Sequence, residues 1–187
     1  EEAGLGNKSD SELRELQSFS HLQYCTGRMI SFTDWQPHCK GMVVGVSCSQ
    51  RLTFEERVLV AGKVNTGNIL LWNFSDPIHP QFVLEAPGDV FCFRFCPTNP
   101  DLIVGGVSSG QVVGWNLAEA REQAREIKAI TGETAEEGGS NTIVAKPVQL
   151  SAVDQSHRCA VTDIAWWPTK LDVSEKGKIT RRAEPSP

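Results

Sequence analysis

Apolar residues in this chain fall in short bursts, and the bursts recur in a fixed order. Ile69-Leu70-Leu71-Trp72 runs into Asn73, and Val112-Val113-Gly114-Trp115 runs into Asn116, so one ending is repeated 43 positions later. Short apolar runs bounded by turn residues read as strands. A second pattern is a strand that runs into proline: Met29 to Pro37, Val90 to Pro97, and Val161 to Pro168. Proline has no N–H to give to a ladder, so its return at one place in each copy marks a common strand boundary.

An apolar strand ending in Trp-Asp or a near variant, returning about every 40–45 residues, is the signature of WD-repeat β-propellers, whose blades each contribute four short strands. The chain is therefore expected to be all-β, a partial propeller of about two blades plus the start of a third. Asn replaces Asp in both Trp pairs, and the three strands that run into Pro read as first, inner strands of consecutive blades. The prolines stand 60 and 71 positions apart, more than one blade, so insertions lie between them. Pro37 to Trp72 spans 35 positions where Pro97 to Trp115 spans 18, which places an insertion near 50–66. After Trp115 a helix over 117–130 is predicted. Asn116 with Glu119 forms a capping pair, and Leu117, Ala120, Ala124 and Ile127 share one stripe. Its stripe is narrow and half alanine, the mark of a surface insertion more than of a docking helix. Gly132 to Asn141, acidic and glycine-rich without large apolar side chains, reads as a flexible loop.

These boundaries divide the chain into a helical or linker segment at 1–20, a first blade at 21–86, a second at 87–153, and the opening of a third with a polar tail at 154–187. Ser9 to Phe19 shows a capping pair, Ser9 and Glu12, and apolar spacing at Leu13, Leu16 and Phe19. It either packs on the propeller or joins a partner. Propellers close with roughly four to eight blades, so the sequence is expected to be a piece of a longer polypeptide.

Composition narrows the function classes. With 187 residues, 40% hydrophobic and 22% charged, the chain is ordinary for a packed domain. Its net charge is −5, and its basic residues cluster only at Lys176 to Arg182, which disfavours nucleic acid as a partner. No apolar run reaches the length needed to span a bilayer and no leader opens the chain, so no membrane partner and an intracellular setting are expected. The six cysteines then read as reduced, mostly buried small hydrophobes.

Candidate chemistry is sparse, and no catalytic, cofactor-binding or metal-ligating residue is assigned. On one strand Cys92, Arg94 and Cys96 would share a face opposite Phe91, Phe93 and Phe95, which favours packing over a metal site. His21, His38, His79 and His157 are scattered, and His38 beside Cys39 points away from it on a strand, against a Cys-His nucleophile. Ala61-Gly62-Lys63-Val64 lacks the upstream Gly and the following Ser or Thr of a phosphate loop. The sequons at Asn7 and Asn73 carry no meaning without a secretory leader. Trp72 and Trp115 are read as covers of their blade faces, each indole donating to a hydroxyl or imidazole. The Asp-His-Ser/Thr network that often supports such a Trp is incomplete, because Ser108-Ser109-Gly110 holds no Asp.

The stretch Leu71-Trp72-Asn73-Phe74-Ser75-Asp76-Pro77-Ile78-His79-Pro80 is more specific than a generic repeat. With Gln81 to Pro87, Asp89 to Phe93, Phe95 to Gly106, Ser109 to Val113, Leu52 to Val58 and Val161 to Ile164, it resembles the dynein intermediate chain family. The similarity is greatest to intermediate chains of axonemal inner-arm two-headed dyneins, and covers about Glu12 to Pro168. The resemblance implies a non-catalytic scaffold whose propeller holds the tail of a dynein heavy chain and helps fix the motor to the doublet microtubules of the ciliary or flagellar axoneme. Other dynein intermediate and light chains would be its partners, with assembly in the cytoplasm. The alternatives are a WD-repeat adaptor in trafficking or ubiquitin transfer, and an enzyme built on a Cys-His pair or metal.

Overall fold

A computed structural model of the chain describes residues 15–39, 43–60, 66–131 and 142–181. Two twisted sheets stand face to face. The first carries β1 (Arg28–Trp35), β2 (Val43–Gln50), β3 (Gly67–Asn73) and β4 (Phe82–Ala86), joined antiparallel in sequence order. The second repeats the motif with β5 (Val90–Phe95), β6 (Leu102–Val107) and β7 (Val112–Asn116). Both Trp-Asn pairs close third strands, and both strands expected before Pro37 and Pro97 are first strands of their blades. A short helix, α1 (Leu22–Cys25), precedes β1.

The run Ile69-Leu70-Leu71-Trp72 is apolar without alternation because β3 is covered on both faces. Ile69 and Leu71 enter the larger core between the sheets, with Phe93, Phe95, Ile103, Val113 and Trp115. Leu70 and Trp72 face the other way, into a smaller cluster with Cys48 and Val83 that Phe19, Tyr24 and Cys25 close over. The N-terminal stretch thus packs on the blade. Its described part does so without the expected helix, since Glu15 to Ser20 are irregular; the expected cap at Ser9 and Glu12 lies outside the described residues.

The insertion in the first blade holds α2 (Phe54–Val60), started by a reciprocal cap: Thr53 N donates to Glu56 at 2.8 Å and Glu56 N donates to Thr53 at 3.3 Å. The helix expected at 117–130 is α3 (Leu117–Thr131), and Asn116 opens it by accepting the Ala118 N–H at 3.1 Å while donating to Glu119 at 2.8 Å. It is more than a surface decoration at its start, where Leu117 and Ala120 are buried in the main core; Glu122, Gln123, Arg125 and Glu126 are exposed. The loop expected at 132–141 lies outside the described residues.

Beyond α3 the chain takes a course with no counterpart in the sequence pattern. β8 (Ile143–Ala145), which the repeat assigns to the second blade, lies parallel to β4 as a fifth strand of the first. Only after Pro147 does the chain reach the second blade, where β9 (Gln149–Leu150) pairs with β7. Val161 to Pro168 is not a ladder strand either. Its hydrogen bonds go to the second blade instead: Val161 N donates to Val107 O at 3.3 Å and Arg94 Nε donates to Ile164 O at 3.2 Å. The pairing that follows is a hairpin of β10 (Leu171–Val173) and β11 (Ile179–Arg181). The alternation expected for β5 also breaks at its start. A register shift between Val90 and Cys92 takes Phe91 out of line, so that Val90 joins Phe93 and Phe95 in the core.

Three seams lock the blades together. Trp115 donates its indole N–H to Glu85 O at 2.8 Å, a backbone carbonyl of the neighbouring blade in place of the hydroxyl or imidazole expected. β8 ends opposite Leu84 and so leaves this carbonyl to the indole. Gly105 gives the ring its room, since a Cβ there would lie 2.9 Å from Trp115 Cζ3. The second seam joins Arg28 to Asp89, with 3.6 Å between the groups and side-chain exposures of 21% and 5%. The third centres on Arg94, which reaches Asp34 at 3.9 Å and Asp163 at 3.6 Å and lies 4.6 Å over the Phe32 ring. Burial decides between the two ion-paired seams. Exposed pairs contribute about 0–1 kcal/mol, whereas removing one partner of a buried pair costs about 3–5 kcal/mol.

Two stability measurements check this ordering. Gly105→Ala is expected to lose about 1–3 kcal/mol by forcing the Trp115 ring from its seat, read as a lower urea midpoint at unchanged slope. Arg28→Ala is expected to cost about 3 kcal/mol and Asp163→Ala under about 1; equal losses from the two would show that the Arg28–Asp89 seam is no more buried in effect than the Arg94 one.

Candidate interaction surface

Antiparallel order brings the end of β1, the β3–β4 loop, the β5–β6 turn and the start of α3 to one rim of the two-blade unit. The segment that carries the family resemblance, Asn73 to Pro80, lies here, and its residues hold one another. Asn73 Oδ1 accepts from Ser75 N at 2.9 Å and from its hydroxyl at 2.7 Å. Asp76 Oδ1 then accepts from Ile78 N and His79 N, both at 3.0 Å. The N–H groups of His79 and Ile78 hold the Asp76 carboxyl below its ordinary range. Side-chain oxygens of Asn and Asp thus replace backbone partners through two successive turns. This explains why Asn serves at the end of the Trp strand: its task is to cap a turn, which needs a carbonyl oxygen and no charge.

Aromatic rings step outward along this rim. Trp72, buried, meets Phe19 at 5.6 Å between centroids; Phe19 meets Phe74 at 4.9 Å; Phe74 stacks on Trp35 at 5.6 Å with 26° between planes. Trp35 is 55% exposed and Ile78 62% exposed. Gln17 Nε2 donates to Phe74 O at 3.0 Å and Ser20 N to Pro77 O at 3.3 Å, so the N-terminal stretch helps to fix the loop. On the side of the second blade, Gln36 Nε2 donates to Pro100 O at 2.9 Å and Arg121 pairs with Asp101 at 2.6 Å. The result is a firm rim whose outermost parts are large apolar side chains, the composition that contact surfaces concentrate.

Elsewhere the side chains weighed for chemistry remain apart. Cys92 is fully buried with its thiol 3.5 Å from Val161 O, and burial pushes its pKa up. Cys96 sits 3.3 Å from the Thr98 hydroxyl; burial would raise it, but hydrogen bonds from Thr98 and the Asn99 N–H outweigh that and leave it lowered. Among the described residues no three His, Cys, Asp or Glu side chains converge as metal ligands. His38 Nε2 lies 3.1 Å from Pro97 O, His79 Nδ1 3.3 Å from Asp76, and the His21 ring 4.9 Å from that of Tyr24. His157 meets Gly110 through its backbone, donating to Gly110 O at 3.2 Å. Gly110, at φ 87°, has no room for a Cβ because His157 O would stand 1.8 Å from it. No helix among the described residues is long and apolar enough to cross a membrane. A groove of ≈ 660 Å³ lies between the outer strands of the blades, lined by Tyr24, Asn68, Glu85, Lys146 and Leu150 among others.

What the sequence reading passed over is the seam chemistry. Arg28 and Asp89 each follow a glycine, and Arg28 opens β1 while Asp89 immediately precedes β5, in Gly27-Arg28-Met29 and Gly88-Asp89-Val90. Their opposite charges, each beside the start of an inner strand, were the available signal.

Comparison with known proteins agrees with this architecture. The family model described as the dynein axonemal intermediate chain 3 WD40 domain matches residues 11–184. Dynein axonemal intermediate chain 3 of Homo sapiens is 35% identical over 192 residues, covering 96% of this chain and 21% of the relative. Its counterpart in Danio rerio is 35% identical, covering 95% of this chain and 19% of the relative. Cytoplasmic dynein 2 intermediate chain 2 of Homo sapiens is 30% identical over 52% of the chain and 18% of its own length. The chain thus spans about one-fifth of the dynein axonemal intermediate chain 3 sequences it matches. By its repeats, its paired blades and this match across nearly its whole length, the chain belongs to the WD40 domain family of dynein axonemal intermediate chain 3.

Proposed function

We propose that this chain is part of a non-catalytic scaffold subunit of an axonemal dynein. Its propeller binds the tail of a heavy chain and helps to anchor the motor on the doublet microtubules that drive ciliary and flagellar beating. Other dynein intermediate and light chains are the further partners, and the complex assembles in the cytoplasm before it enters the axoneme. The observation that carries this reading is the rim from Trp35 to Ile78, which offers exposed apolar groups on a backbone held by its own side chains. A rigid surface gives up little freedom on contact, so its apolar anchors convert more of their burial into affinity. The names of the relatives, axonemal dynein intermediate chains, supply the class of partner.

Two experiments test it. Full-length protein isolated from cilia is expected to carry a dynein heavy chain through salt washes that strip peripheral proteins. Stable recovery free of any heavy chain overturns the proposal in favour of an adaptor in another assembly. Trp35→Ala is expected to lower heavy-chain recovery about tenfold or more, the effect of removing a central aromatic anchor. It is expected to change the urea midpoint little, because half of the Trp35 side chain already meets water; unchanged recovery would remove the rim from the contact.

A further inference from the structure

Two cysteines share one apolar cluster where the N-terminal stretch lies on the outer face of the first blade. Cys25 ends α1, and Cys48 stands on β2, within the cluster that Leu70, Trp72 and Val83 complete. The Cys48 side chain is 5% exposed, and that of Cys25, only half-buried, packs against the same cluster. The other cysteines are engaged or distant: Cys92 faces Val161 and Cys96 faces Thr98, while Cys39 and Cys159 are exposed.

We infer that Cys25 and Cys48 are a redox pair, whose disulfide fastens the stretch ahead of β1 to the face of the first blade. In the reduced chain that stretch is held by the contact of Phe19 with Trp72 and Phe74 and by hydrogen bonds donated by Gln17 and Ser20 and accepted by Gly27 O from Arg51 N. The bond would make the cover of this face covalent. The inference goes beyond the scaffold role and does not depend on which partner the rim binds.

A hydroperoxide is the class of oxidant that supplies the balance. Cys25, the less buried of the two, attacks hydrogen peroxide through its sulfur; a sulfur–oxygen bond forms, the oxygen–oxygen bond breaks, and the departing hydroxide takes the Cys25 thiol proton and leaves as water. Cys48 then attacks the Cys25 sulfur, the sulfur–sulfur bond replaces the sulfur–oxygen bond, and hydroxide leaves with the Cys48 proton as a second water. Two thiols lose two electrons and two protons, and one peroxide becomes two waters. Burial, followed by the charge of Cys25, pushes the Cys48 thiol up to about 12, so Cys48 enters the second step with its proton. Conversion of Cys25 to a neutral sulfenic acid removes that charge, and Arg28 already acts to lower the Cys48 value.

The test is peptide mapping by mass spectrometry under non-reducing conditions, on full-length protein exposed to graded hydrogen peroxide. The expected product is a peptide joining Cys25 to Cys48, two hydrogens lighter than the separate thiols, restored by dithiothreitol and absent from Cys25→Ser. Cleavage of the stretch before β1 by added protease is expected to slow several-fold on oxidation. In Cys48→Ala, which keeps a small apolar group in the cluster, Cys25 is expected to accumulate as a sulfenic acid that dimedone traps. Progress of wild-type Cys25 to sulfinic acid with Cys48 still reduced, or its linkage to Cys39 or Cys159, overturns the inference.

Discussion

The structure depends on one constraint: a propeller blade is a sheet whose two faces are both apolar, so each blade must be covered on both sides. Ile69-Leu70-Leu71-Trp72 states this within four residues, since alternate side chains enter separate clusters. The inner face of the first blade is closed by the second, through Phe93 packed edge-on to Phe32 at 5.6 Å. Its outer face is closed by Phe19, Tyr24 and Cys25. The second blade meets the same demand with the segment from Val161 to Ile164, which Arg94 and Cys92 hold by its carbonyls. Among the described residues, irregular segments thus lie on the faces that the two sheets do not cover for each other.

Most of the architecture was legible because the repeat is local. Trp followed by Asn, and a strand followed by Pro, report the ends of third and first strands within a few residues, and such ends are set by turn chemistry that only neighbours in sequence supply. The helix after Trp115 was legible for the same reason, through Asn116 and Glu119. What escaped was non-local. Nothing near Ile143 signals that it pairs with Phe82 of the other blade, because a parallel partner lies far away along the chain. Val161 to Pro168 has the composition of an inner strand, but strand character belongs to a pair, and its hydrogen bonds were taken up elsewhere. The break at Phe91 was hidden likewise, because a bulge leaves composition unchanged and alters only the register.

The candidate interaction surface was half legible. The decapeptide from Leu71 to Pro80 pointed to the family, yet spacing alone did not reveal why those residues belong together. In the structure they form a loop capped by Asn73 and Asp76, so the pattern that marks the family is foremost a device for rigidity. The outward step of rings from Trp72 to Trp35 joins four positions spread from residue 19 to residue 74 and could emerge only from the fold.

The parallel strand β8 has a mechanical meaning for a protein of this class. Between α3 and β9 the chain is stitched into the neighbouring sheet before it returns to its own, so the second blade cannot swing away without peeling β8 from β4. Repeats that merely stack can separate one at a time, like books on a shelf. These two are laced, and a pull delivered to either one is shared by both.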